Sequence, residues 1–480
     1  MNYQITELPY ATCSTDLYSH IANQTWTIFL DSCADLGASG RFDIIAFDPF
    51  VKIQTQNQRT TVTKKTADNR WVSNTLSSDL FEILKTEIKP FESLISGLIK
   101  SSQLPQDLPF YGGAMGNFSY DLIKPKQSKP ARNSSATDAN IGIFDCFIVV
   151  DHHQKKTRLV ELNLANPNSA GTELNHASQK SKATLRNKLV SRKSQGSAPE
   201  LPPFKLTQAF SLDSTIDEYN AQYRRIIDYI YAGDCYQVNF AQRLSSTYSG
   251  HLWNAYKALR SSSPAPYSAF MQFPGSTLLS HSPESFLSVQ QRLVTTQPIK
   301  GTRRRSRNPI EDQQLKSELA SSLKDRAENL MIVDLMRNDL GKHCKPGSIT
   351  ADELFKLKSF SNVHHLVSTV RGELDASSHP LDLFRDSFPG GSITGAPKKR
   401  AMEIINELEP SHRGPYCGSL GYLSFDGQMN TNIAIRTLYN QGARLHCWGG
   451  GGIVADSNCE AEYHESLDKI NNLIETLNKL

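Results

Sequence analysis

The chain has no C-x-x-C pair among its eight cysteines, which stand at 13, 33, 146, 235, 344, 417, 447 and 459. That spacing supports neither a zinc site nor a redox motif. Eight thiols scattered through 480 residues fit a reducing compartment better than a disulfide framework. A charge bias is also missing. The 52 basic and 48 acidic residues leave only +4, spread evenly, which argues against nucleic acid as a partner. No apolar run approaches the roughly 18 residues of a membrane span. Met1 to Tyr10 lacks a basic region followed by an apolar one, so no signal peptide and a cytoplasmic location are expected.

What is present describes a globular chain, 38% hydrophobic and 21% charged, long enough for about three domains. No fixed-period repeat is visible. Residues 1–163 read as an N-terminal lobe of strands and turns, with β-branched or aromatic runs at Trp26 to Leu30, Phe42 to Phe47 and Ile141 to Val150. Residues 164–204 shift to Ser, Asn, Gln and basic residues and close on Pro199, Pro202 and Pro203, the composition of a polar linker. Residues 205–480 form the C-terminal lobe. Tyr219, Tyr223, Ile226, Ile227 and Ile230 predict a helix over Ser214 to Tyr231, ended by Gly233 and followed by a strand from Tyr236 to Leu244. A long helix is predicted over Glu311 to Leu340.

Four features carry chemistry. Lys300 lies in Gln297-Pro298-Ile299-Lys300-Gly301-Thr302, where glycine allows close backbone approach and a buried lysine can become a neutral nucleophile. Asp325 with Glu328, and Glu462 with Glu465, put two carboxylates on one face of each of two helices. Such oxygen donors suit Mg²⁺, although either pair alone is also a common surface ion-pair pattern. Two glycine-rich turns, Gly390 to Pro397 and Gly449 to Gly452, precede helices and offer backbone N–H groups to an anion. Neither is a P-loop: Gly390 and Gly395 have the spacing, but Ala396 stands where lysine is required, so a carboxylate ligand is expected. Ser457-x-x-Glu460 has capping-box spacing for the last helix. His364 and His365 share a strand-like run, Val363 to Val370, whose alternation points only one of them into a site.

Together these stretches resemble the chorismate-utilising enzymes, which include the anthranilate, aminodeoxychorismate, isochorismate and salicylate synthases. The resemblance is carried by Gly233-Asp234-Cys235-Tyr236-Gln237-Val238-Asn239, Ser282-Pro283-Glu284, Pro298 to Thr302 and Asp325 to Met331. It continues through Val333 to Asp339, His364 to Val367, Gly390 to Pro397, Gly421-Tyr422, Ile435-Arg436-Thr437 and Gly449 to Glu465. It implies an α+β fold in which two antiparallel sheets pack orthogonally, flanked by helices in α/β/β/α layers. It also implies Lys300 as nucleophile, Glu284 as general acid, and His365 as a second acid candidate or substrate-orienting group. Chorismate would be held by Thr302, Thr394, Gly395, Tyr422, Arg436, Gly450, Gly451 and Gly452. Mg²⁺ would bind Glu328 and Glu465, with Asp325 and Glu462 reached through water.

Within that family, anthranilate synthases carry alanine at the position of Lys300. Isochorismate and salicylate synthases carry a water-activating lysine at the position of Gln237. Both residues here therefore point to amination at C4 of chorismate; release of anthranilate is the near alternative, and a non-catalytic chorismate- or tryptophan-binding regulator the distant one. No Gly-x-Cys-x-Gly glutaminase segment is present, so ammonia from a separate glutamine amidotransferase subunit is expected. Ser32, Arg41, Phe42, Pro266, Tyr267 and Ser268 match the family's tryptophan pocket, whereas Ser39 and Gly40 depart from the Tyr-Ser that usually precedes the arginine.

Overall fold

The structure is a computed structural model that describes residues 3–38, 40–66, 70–123, 137–162, 164, 198–359 and 363–480. Alternation along its strands sets its layers. On Thr27–Asp31, Ile28 faces one apolar core and Phe29 another. Ile44 and Ile45 on Phe42–Ala46, and Phe147 and Ile148 on Cys146–Asp151, divide in the same way. These strands belong to a 13-stranded sheet. Its first face meets Ile53, Met115 and Ile141 of a second, 12-stranded sheet, so the larger core fills the space between the two. Its second face packs Phe29, Ile45 and Ile148 against Trp253, Tyr256 and Ile470 of the helices Leu252–Ser262 and Cys459–Asn478. Leu84, Val333 and Leu381, on Leu80–Lys100, Leu323–Gly341 and Pro380–Ser387, back the second sheet. Every pairing between described strands at these junctions is antiparallel. The layering is the α+β arrangement implied by the sequence.

Both sheets cross the division between residues 1–163 and 205–480. Thr27–Asp31 pairs with Tyr267–Phe273 in one, and Gly113–Phe118 with Ser419–Ser424 in the other. Most of the polar segment 164–204 lies outside the described residues, as does Ser39. Among the described residues, no helix is long and apolar enough to cross a membrane.

Four local readings change. The helix expected over Glu311 to Leu340 is two, Pro309–Ser321 and Leu323–Gly341, broken at Ser322, whose hydroxyl caps the second by accepting from the Asp325 N–H. The run Ile141 to Val150 is two strands, Ala139–Phe144 and Cys146–Asp151, in different sheets. Buried Asp145 makes that turn, accepting the Leu164 N–H on its carboxylate. The four glycines Gly449 to Gly452 lie inside the strand Arg444–Ile453 rather than in a turn, paired with Gln237–Ser249. Asn458, not Ser457, caps the last helix, and the Ser457 hydroxyl donates to Glu462 instead.

Candidate active site

A cavity of about 1090 Å³ opens where the strands Ile299–Arg304 and Arg444–Ile453 meet the helices Leu323–Gly341 and Cys459–Asn478. Lys300 enters it from the strand Ile299–Arg304. The register against Val363–Glu373 shifts between Ile299 and Thr302, and such a bulge re-aims the side chain it contains. Gly301, at φ +80°, makes the bulge possible: a Cβ there would stand 2.8 Å from Leu319 and 3.0 Å from Asp325. The Lys300 amine is held below its ordinary pKa, chiefly by desolvation and further by the Lys469 cation. Glu328, Glu284 and Glu465 act in the opposite direction. Desolvation wins, which favours the unprotonated amine.

Glu284 sits at the end of the strand Ser276–Ser282, buried, with the Ser392 hydroxyl donating to its Oε1 at 2.7 Å. Burial pushes its carboxyl up to about 7, against the Ser392 hydrogen bond and the Lys300 charge. His365 moves the other way. Desolvation, helped by the Arg436 charge, pushes it down to about 3, so its ring is neutral at pH 7. Its Nδ1 lies 2.9 Å from the Thr302 hydroxyl, while the ring of its neighbour His364 is 3.1 Å from Asp312, as strand alternation requires. Arg436 lines the same cavity with its backbone in the left-handed region, φ +51°. Burial lowers its pKa, and no carboxylate of the described residues is paired with it. A desolvated guanidinium of this kind is a ready partner for a ligand carboxylate.

The two acidic helices close the opposite side. Asp325 is 3.3 Å from Arg303, and Glu328 is 4.0 Å from Lys324. Glu462 accepts from the Ser457 hydroxyl at 2.7 Å; burial first, then Glu465, raises its pKa. Glu465 pairs with Lys469 at 2.9 Å, which depresses its own. The Lys469 amine also donates to the Gly450 carbonyl at 3.0 Å. Among the described residues, no three His, Cys, Asp or Glu side chains close into a metal cluster. Magnesium asks for less, since it usually takes one or two carboxylates plus waters and substrate oxygens. The all-oxygen donor set, with Glu465 raising the Glu462 pKa, fits such an ion.

Eleven of the expected residues therefore share one cavity: Glu284, Lys300, Thr302, Asp325, Glu328, His365, Arg436, Gly450, Gly452, Glu462 and Glu465. Four others stand elsewhere. Thr394 is buried and gives its hydroxyl to the Gly390 carbonyl, and Gly395 pairs with Val238. Gly451 does not itself line the cavity, although a Cβ there would meet the cavity-lining Glu462 at 3.2 Å and Lys469 at 3.5 Å. Tyr422 lines a second cavity of about 280 Å³ together with Ser32, Arg41, Phe42, Pro266, Tyr267 and Ser268. In that cavity Arg41 lies 4.4 Å over the Phe42 ring and pairs with Asp151. Ser392, Asn239 and Tyr416 complete the wall of the first cavity without having been singled out from sequence. Ser392 and Asn239 carried a signal, one inside the first glycine-rich stretch and the other at the end of the stretch Gly233 to Asn239.

Glu284 links the site to stability. Its carboxyl is raised from 4.5 to about 7, so between those values the fold holds a proton that the unfolded chain has released. The stability it contributes at low pH is lost as pH rises through about 7. Glu284→Gln should therefore gain melting temperature relative to the native chain between pH 5 and pH 8. It should also lose roughly 10²- to 10⁴-fold in turnover if the residue is a general acid. A melting difference that stays flat with pH would contradict the buried, protonated carboxyl.

Two antiparallel sheets cradling a cavity lined by an amine, an unpaired guanidinium and facing carboxylates define an enzyme of small anionic substrates. The chain belongs to the chorismate binding enzyme family, whose model matches residues 27–475. It is 41% identical to the aminodeoxychorismate synthase component 1 of Salmonella typhimurium, over 98% of both chains. It is 34% identical to the anthranilate synthase component 1 of Synechocystis, over 96% of this chain and 93% of that one. Among solved structures it resembles anthranilate synthase component I from Streptococcus pneumoniae, with a TM-score of 0.74 and 28% identity, covering 91% and 93% of the two chains.

Proposed function

We propose that the chain acts as an aminodeoxychorismate synthase component 1, converting chorismate and ammonia to 4-amino-4-deoxychorismate. The observation that carries this reading is the Lys300 amine, desolvated and depressed in pKa, in one cavity with Glu284 and Arg436. Relatives of both the aminodeoxychorismate and the anthranilate type match the chain at full length, so the lysine decides between them.

In this reading Arg436 and the backbone of the glycine strand hold the two carboxylates of chorismate. The neutral Lys300 amine attacks C2, and the C4 hydroxyl leaves as water with the proton of Glu284. Ammonia then bonds to C4 as the C2–nitrogen bond breaks, which frees the lysine. His365, neutral and fixed on Thr302, orients the ring rather than supplying the proton. Glu328 and Glu465 would hold Mg²⁺, with Asp325 and Glu462 outside them. Bound there, the ion would supply charge neutralisation for the ring carboxylate and polarisation of the ring.

Ammonia would come from a separate glutamine amidotransferase subunit. The second cavity, with Ser32, Arg41 and Tyr267 on its wall, is the place for bound tryptophan. Eight free cysteines and this chemistry suit a cytoplasmic enzyme. Incubation with chorismate, ammonium chloride and magnesium chloride tests the reaction. A product that a lyase converts to 4-aminobenzoate supports it. Fluorescent anthranilate would replace it with amination at C2, and absence of turnover would leave a binding protein.

A further inference from the structure

An edge strand offers unpaired N–H and C=O groups to any other strand, and proteins ordinarily blunt such edges with charge, bulges or shortness. Most edges of this chain are blunted in that way. At one end of the 12-stranded sheet, Ile299–Arg304 carries Lys300, Arg303, Arg304 and a register shift. Beside Val363–Glu373, Thr350–Ser359 carries Asp352, Glu353, Lys356 and Lys358, with register shifts on both sides of Glu353. In the 13-stranded sheet, Gln4–Leu8 carries Glu7, and Lys205–Leu206 at the other end is two residues long.

Trp71–Leu76, the last strand at the far end of the 12-stranded sheet, has none of these devices. Trp71-Val72-Ser73-Asn74-Thr75-Leu76 contains no charge and no proline, and it pairs with Arg59–Lys65 in unbroken register. Among the described residues, that is its only strand partner. All six residues are exposed, Trp71 at 38%, Val72 at 50% and Leu76 at 39%. Every second residue of an antiparallel edge strand turns both backbone groups outwards, so three of these six do.

We propose that this strand pairs antiparallel with the same strand of a second copy, joining the two 12-stranded sheets about a two-fold axis. The strand is its own complement. An axis along the sheet normal keeps each face on its own side, so even-numbered positions meet even-numbered ones. Centred on Asn74, the pairing sets Val72 of each copy opposite Leu76 of the other. Both lie on the face where their ladder neighbours Thr60 and Val62 are buried, so each copy extends the other's core. The same register sets Arg70 opposite Ser78 and next to Asp79 of the other copy, a cation beside a carboxylate at both ends. No like charges face one another near the axis, because the strand has none. A foreign strand would have to reproduce this uncharged apolar centre and reversed pair of charged ends, which the chain already carries.

Sedimentation velocity on the full chain tests the pairing, and a dimer at about 10 μM is expected. Val72→Lys should weaken it about tenfold, through the two symmetric Val72–Leu76 contacts it removes. Adding Leu76→Glu to that variant should restore the dimer, since each new cation then faces a new carboxylate. Leu76→Lys stands in if Val72→Lys lowers the melting temperature. Asn74→Cys should form an interchain disulfide on oxidation beyond that of the native chain, because position 74 faces its own counterpart. A native chain that stays monomeric, or that takes up another protein's strand at this edge instead, overturns the proposal. So does a dimer that Val72→Lys and Leu76→Lys leave intact, because another surface would then hold it.

Discussion

Replacing Lys300 with alanine should leave a slow enzyme, lower by roughly 10³-fold in kcat/KM, that works only at high ammonia and forms no adduct with chorismate. That loss corresponds to about 4 kcal/mol of transition-state stabilisation. The amine is half-buried on a bulged strand, and desolvation already lowers its pKa against three carboxylates. On the proposed mechanism its removal takes away a nucleophile rather than a surface charge. Lys300→Arg separates the two roles, since guanidinium keeps the cation but stays protonated. It should be as inactive as the alanine variant. If either variant shows native kinetics, or if the adduct mass persists in Lys300→Ala, the covalent route fails.

Glu328→Ala should abolish magnesium-dependent turnover and weaken magnesium binding by about 100-fold or more, as seen by titration calorimetry. The residue has two plausible roles that predict opposite results. Glu328 is the largest influence holding the Lys300 pKa up. Were that its whole purpose, its removal would lower the amine pKa further and speed adduct formation. Were it a metal ligand, turnover and metal binding would vanish together. Glu328→Gln, which keeps the shape, should behave like alanine in the second case. Unchanged calorimetry would remove the metal assignment even if turnover fell.

Much of this site was legible from sequence because its signals were local. The i, i+3 carboxylates needed only helical spacing, and alternation said that only one of His364 and His365 could enter the site; the structure puts His365 against Thr302 and His364 against Asp312. The helix Ile216–Tyr231 and its stop at Gly233 followed from periodicity and from a left-handed φ of +81° that favours glycine. What stayed hidden depends on distant chain. Ser392 reaches Glu284 across 108 residues of sequence, and no window contains both. The glycines 449–452 read as punctuation, yet they form a strand because the helix Cys459–Asn478 packs directly on it. A Cβ on Gly449 would meet the Ser466 carbonyl at 2.0 Å. Asp145 is the one charged residue in the run Ile141 to Val150, and the change of sheet falls on it, but a single polar residue does not announce which sheet the next strand joins.

Among the described residues, the strand Ile299–Arg304 has a single laddered neighbour, Val363–Glu373, at the outermost position of its sheet. A peripheral ribbon can shift by fractions of an ångström without disturbing the central rungs. In the proposed reaction, such a shift would let the Lys300 amine approach and leave the substrate ring while the scaffold stays still. Deuterium uptake at the Lys300 and Gly301 amides should outpace that of the central strand Ser419–Ser424, and it should slow once chorismate is tethered there.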